Sequence, residues 1–169
     1  SKKAAETLCY SYHYLYGTDV TVVRYFTVYG PAGRPGMSIF RFTRWISEGE
    51  EVKVFGDGTQ TRGFTYLDDI ARGTIAALKP LGYEIINLGG HESISINDLI
   101  KKFEQAIGKE ALIAHFPAHP ADMSASWADV SKARRLLGWE PRVGLDEGIR
   151  QVIGWYRQEH AWASQVDTE

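Results

Sequence analysis

Apolar residues recur along the chain in two rhythms, one helical and one near-continuous. In residues 4–16, Leu8, Tyr12 and Leu15 fall at i, i+4 and i+7, which predicts a helix stopped by Gly17. Residues 37–46 place Ile39, Phe42, Thr43 and Ile46 on one side of a second helix. Leu99, Phe103 and Ile107 do the same between Ser95, a candidate N-cap, and Gly108, a candidate C-terminal stop. A short helix follows, started by Asp129 or Ser131, burying Leu136 and Leu137, stopped by Gly138 and kept from resuming by Pro141. The last helix lies within 143–156, with Leu145, Ile149, Val152 or Ile153, and Tyr156 inward. Residues 20–26 are β-branched and near-continuously apolar, as a buried parallel strand should be, and 81–90 and 111–116 are further short strands. Alternating strands and helices predict an α/β fold. The tail after Glu159 is expected to fray.

The stretch 52–70 reads as strand, glycine turn, exposed polar segment and helix start. Val52, Val54 and Phe55 form the strand, and Gly56-Asp57-Gly58 is turn chemistry. Asp68 and Asp69 are candidate N-caps for the apolar run that begins at Ile70. Arg62 lies between turn and helix. Its planar fork of donors suits a diphosphate, but a solvated loop arginine, or one paired with Asp68 or Asp69, fits the same pattern.

Composition narrows the classes. The 169 residues, 44% of them hydrophobic, suffice for one compact domain with a core. A net charge of −2 without a long basic run argues against nucleic acid and anionic membrane as partners. No apolar stretch reaches membrane-span length and no signal peptide is visible. Cys9 stands alone, which rules out an intramolecular disulfide and fits a reducing cytoplasm. His13, His91, His115, His119 and His160 show no metal-ligand spacing, so no metal site is expected. No glycine cluster opens a helix after a strand, as a pyrophosphate loop requires. The chain opens on Ser1-Lys2-Lys3, without Met, and reads as starting partway through a helix.

Several segments resemble the extended short-chain dehydrogenase/reductases, the NAD-dependent nucleotide-sugar epimerases and dehydratases. Residues 55–69, FGDGTQTRGFTYLDD, are similar to the family's FGDGxQxRDFxYVDD, with Gly63 where Asp is usual. Residues 24–37, RYFTVYGPAGRPGM, resemble the UDP-glucuronate 4-epimerase version of the strand and loop after the catalytic helix. Residues 127–141, WADVSKARRLLGWEP, resemble the family's xADxSKAxxLLGWxP. SKKAAE at 1–6 is similar to the end of YAASKxAAE, which puts Lys2 at the catalytic lysine and the partner tyrosine ahead of Ser1.

The resemblance implies the C-terminal part of a Rossmann-like extended fold, with the dinucleotide-binding half absent. Residues 1–31 would be a remnant of the NAD-binding domain, 32–160 the nucleotide-sugar-binding subdomain with some return to the cofactor sheet, and 161–169 a frayed tail. It implies Lys2, Tyr25, Phe26 and Val28 on the NAD side. Thr27 and Arg34 would stand near the sugar, Ser38, Ile39, Lys53, Phe55 and Ile94 near the UDP, Arg62 on the diphosphate and Asp122 on ribose hydroxyls. His119 replaces an arginine usual in that last stretch, leaving Arg62 as the single phosphate arginine in a matching position. Gly63 is expected to loosen the hold on Arg62. The intact enzyme would oxidise the sugar at C4 with NAD, let the keto-sugar rotate and reduce it from the other face. The present chain would bind UDP-sugar, hold no NAD, be inactive alone, and self-associate as a homodimer through the Lys2 helix. A 4,6-dehydratase, or a stand-alone UDP-sugar-binding or structural module, fits the same residues.

Overall fold

The computed structural model describes residues 1–90, 92–118, 120 and 122–168. Its elements run α1 (Lys2–Tyr16), β1 (Val20–Tyr25), β2 (Thr27–Tyr29), α2 (Ser38–Glu48), β3 (Glu51–Phe55), β4 (Thr61–Tyr66), α3 (Leu67–Ala76), β5 (Tyr83–Leu88), β6 (Ser93–Ser95), α4 (Ile96–Ile107), β7 (Leu112–Phe116), β8 (Ala125–Ser126), α5 (Ser131–Leu137), α6 (Leu145–Gln158) and α7 (His160–Ala163). The α/β class is as the pattern predicts. β1 pairs parallel with β5, and β3 parallel with β7. β4 pairs with β2, β6 and β8.

The main core lies between α2, α4 and α6, where Ile46, Phe103, Leu99 and Ile149 are buried. The periodicity that predicts these helices is the periodicity of their buried faces. Ser95 caps α4 by accepting from the Asp98 N–H at 3.0 Å, and Gly108 ends it in the left-handed conformation. A second cluster, with Ile86, Leu88, Ala133 and Trp139, joins β5, α3 and α5.

Three expectations change. The segment after the glycine turn is not an exposed polar loop: it is strand β4, with Phe64, Thr65 and Tyr66 buried. Its pairing partners are β2, 37 residues upstream, and β6 and β8, about thirty and sixty residues downstream, all beyond the reach of local propensity. Asp68 and Asp69 do not cap α3, which starts at Leu67 without a side-chain cap. Asp69 is instead 1% exposed, and its carboxylate accepts the backbone N–H groups of Arg142 and Val143 at 2.9 and 3.0 Å and pairs with Arg72. Trp139 donates its indole N–H to the Asp69 carbonyl at 2.7 Å. The tail after Glu159 is not frayed: α7 folds back, and Ala163 and Thr168 are buried.

Helix α1 behaves differently from the others. It has no buried residue, and Leu8, Tyr12, Leu15 and Tyr16 are all exposed. It is fixed to β1 by Arg24, which donates from Nε and Nη2 to the two Glu6 carboxylate oxygens at 2.7 Å each, and to β5 by the Tyr83 hydroxyl donating to the Glu6 carbonyl at 3.0 Å.

Candidate functional site

Strand β3 ends at Phe55 on a turn built by Gly56 and Gly58, at φ +81° and +78°. A side chain at Gly58 would stand 2.0 Å from Asn97 Oδ1. Asn97 donates to the Asp57 carbonyl at 2.9 Å, tying the turn to α4. Asp57 accepts from the Thr59 hydroxyl at 2.7 Å and the Thr59 N–H at 3.0 Å, which holds its carboxyl below the ordinary range. Gln60 then reaches back to donate to the Phe55 carbonyl at 2.8 Å.

Around this turn lie two adjoining clefts that share Phe55, Gln60 and Asp122. The wider, about 460 Å³, opens over Gly56, Asp57, Thr59 and Met123. The narrower, about 140 Å³, is walled by Ser38 and Arg41 of α2, by Trp45 and by Lys53 of β3. The Phe55 ring lies 5.7 Å from that of Phe116 and is 46% exposed, a flat apolar surface at the mouth.

Arg62 meets Asp122 here. Its Nη1 donates to the Thr61 carbonyl at 2.8 Å and its Nη2 pairs with Asp122. Neither Asp68 nor Asp69 is its partner. The backbone of Arg62 is clamped within β4, opposite Ile94 on one side and Ser126 on the other. Gly63 lies in the same strand, paired with Ser93. Gly63 passes so close to Gly90 that a side chain at Gly90 would stand 2.5 Å from the Gly63 carbonyl carbon. The narrow cleft thus brings together an aromatic face (Phe55), a guanidinium (Arg41), a carboxylate (Asp122) and a lysine (Lys53), and Arg62 adjoins it through its pair with Asp122; these are groups that a nucleoside diphosphate can use.

A separate cleft of about 630 Å³ lies between α1 and β1, lined by Lys2, Lys3, Glu6, Cys9, Arg24, Tyr25 and Phe26. The Arg24 fork holds the Glu6 carboxyl down to about 2. Tyr25 contacts Thr74 through their hydroxyls at 3.0 Å.

The structure thus gathers Ser38, Lys53, Phe55, Arg62 and Asp122 in one place and Lys2, Tyr25 and Phe26 in another. Val28 and Thr27 lie in β2, paired with Thr65 and Phe64, outside both linings. Arg34 is exposed in the loop before α2. Ile39, expected near the nucleotide, has its side chain 3% exposed in the main core, and Ile94 packs against that core. His119 lies outside the described residues. The sequence reading missed Arg41, Trp45 and Gln60. Arg41 and Trp45 follow Ser38 at i+3 and i+7, a helical spacing that puts them on its face, so the signal was present. Among the described residues no cluster of three metal-ligating side chains occurs, and no helix is long and apolar enough to cross a membrane.

Comparison with known proteins bears on this geometry. Residues 1–89 match the NAD dependent epimerase/dehydratase family. The chain is 60% identical over 159 residues to the UDP-glucuronate 4-epimerase of Thermodesulfobacterium geofontis, covering 94% of this chain and 49% of that protein. It is similar to the structure of the Bacillus cereus UDP-glucuronic acid 4-epimerase in complex with UDP-glucuronic acid and NAD, at 41% identity and TM-score 0.87, over 94% of this chain and 51% of that one. The UDP-glucose 4-epimerase of Thermotoga maritima, solved with UDP-glucose, matches at 32% identity and TM-score 0.89, over 94% and 52%. The chain spans about half the length of the relatives it matches. With more than half of its residues inside the family match and the extended short-chain dehydrogenase/reductase architecture in its fold, the chain belongs to the NAD dependent epimerase/dehydratase family.

Proposed function

We propose that this chain is the nucleotide-sugar-binding portion of a cytoplasmic NAD-dependent UDP-sugar 4-epimerase of the glucuronate type. The observation that carries the reading is the pairing of Arg62 with Asp122, sixty residues on, where Asp122 lines the narrow cleft with Phe55 and Lys53. In this reading the Phe55 ring faces the uracil, Asp122 accepts from ribose hydroxyls, and Arg62 leaves Asp122 to take diphosphate oxygens. Residues 32–160 form this binding subdomain, and Arg34, exposed ahead of α2, faces the sugar carboxylate.

The cleft beside α1 fits one end of a nicotinamide cofactor: Lys2, Tyr25 and Phe26 line it together. When bound, NAD would supply the hydride acceptor and donor for the sugar carbon. Lys2 would donate to a ribose hydroxyl, and Phe26 would exclude water from the nicotinamide side. The exposed face of α1 serves a homodimer. The chain alone does not turn over substrate.

Calorimetric titration tests this. UDP is expected to bind saturably and to weaken about 10–100-fold in Arg62→Ala, as loss of a charged hydrogen-bonding group implies. NAD is expected not to bind. Failure of UDP to bind rejects the nucleotide site, and epimerisation by the pure chain rejects its inactivity.

A further inference from the structure

Helix α2 is held from behind by the last described residues. Arg41 donates from Nε to the Thr168 carbonyl at 2.8 Å, and Arg44 donates from Nη1 to the Val166 carbonyl. Those carbonyls are brought there by α7. Its Ala163 is fully buried, Trp162 lies edge-on to Trp155 at 5.7 Å, and Thr168 is 5% exposed. On the other side the Arg41 guanidinium sits over Trp45, 5.6 Å from the ring centroid. Arg41 also lines the narrow cleft with Ser38 and Lys53.

A guanidinium with its Nε bound backwards and its face stacked has lost most of its rotamer freedom, yet keeps the Nη1–Nη2 edge as a fork. Side-chain ordering of a long cation costs binding free energy when the ligand has to impose it. Here the fold has imposed it already. We propose that residues 160–168 are a positioning strap for the nucleotide cleft. By holding Arg41 Nε on the Thr168 carbonyl, the strap presents the opposite edge of Arg41 to the diphosphate. Arg41 thereby supplies a second guanidinium beside Arg62. The inference rests on the UDP reading of the cleft and adds to it the device that orders one wall.

The test is done in the full chain with Ala163→Glu, which places a charge in a fully buried position and undocks the strap, and with the milder Trp162→Ala. Each is titrated with UDP and with uridine. Arg41→Ala and both strap variants should raise the UDP Kd about tenfold and leave uridine unchanged, because the strap acts through a phosphate contact. Arg41→Ala combined with Ala163→Glu should bind UDP no more weakly than Arg41→Ala alone. Amide hydrogen exchange across residues 38–42 should quicken in Ala163→Glu without nucleotide. Equal weakening of UDP and uridine, or an unchanged UDP Kd while Arg62→Ala weakens it, overturns the strap. If the unaltered chain binds no UDP, the nucleotide reading fails by itself. The exchange data then decide the strap: quickened exchange sustains it as the order-keeper of α2, and unchanged exchange overturns it.

Discussion

Helices α1 and α4 both place apolar residues at helical spacing, more weakly in α1, and meet opposite environments in the fold. In α4 the apolar face of Leu99, Ile100 and Phe103 is at most 1% exposed, packed against α2 and α6. In α1 the corresponding face keeps Leu8 60% and Leu15 65% exposed, and the helix is held by Glu6 and Arg24 rather than by burial. The lesson is physical: periodicity names the face a helix hides, but not what hides it. Among the described residues α4 is covered by its own chain, whereas the face of α1 stays open, which is the face the proposed homodimer would cover.

Matched truncations are the largest way to break that comparison. Phe103→Ala removes a fully buried ring and is expected to cost about 3–5 kcal/mol in urea denaturation. Leu15→Ala in α1 should stay within about 0.5 kcal/mol for the monomer. Equal costs would mean that α1 packs on its own chain after all. Next in size, Asp69→Ala strands the buried N–H groups of Arg142 and Val143 and should cost roughly 3 kcal/mol in the same assay. A loss below about 1 kcal/mol would show that water replaces the carboxylate there.

Self-association sharpens the other side. Leu8→Ser with Leu15→Ser should weaken dimerisation at least about tenfold in sedimentation while leaving monomer stability unchanged. A monodisperse monomer at all concentrations would leave α1's exposed face without a second copy to cover it. The smallest effect concerns pH. Glu6 titrates at about 2 in the folded chain against an ordinary 4.5, so its ion pair contributes fully above pH 4.5 and is lost as pH falls through about 2. Loosening of α1 in that acid window, read from its amide exchange, should disappear in Glu6→Gln, which is loosened at every pH.

Much of this was legible in the sequence because it is local. The Ser95 cap and Gly108 stop of α4, the glycine turn at 56–58 and the buried stripe of α2 all depend on residues a few positions apart. What was misread is non-local. Thr61-Arg62-Gly63 has weak strand propensity and is made a strand by partners at 93–95 and 125–126. Asp69 looks like a cap until the segment at 139–143 comes back to claim it. The tail looks frayed because its anchors are backbone carbonyls, invisible to side-chain pattern, gripped by arginines more than 120 residues earlier. In the candidate site, Arg62 and Asp122 were legible through their motifs. Ile39 was not, since a motif match does not say which way a helical side chain turns.

Asp69 also has a kinetic meaning. Its bonds to Trp139, Arg142 and Val143 close loops of 70, 73 and 74 residues, whereas the contacts that cap α4 span three. Closing a long loop precedes any reward from the contacts it makes, so the capped helices form early and the Asp69 knot is tied late. Loss of its carboxylate should therefore speed unfolding far more than it slows folding. The residue that fastens α3 to the returning chain would then act as a latch on the finished fold, setting how long the chain stays closed rather than how quickly it closes.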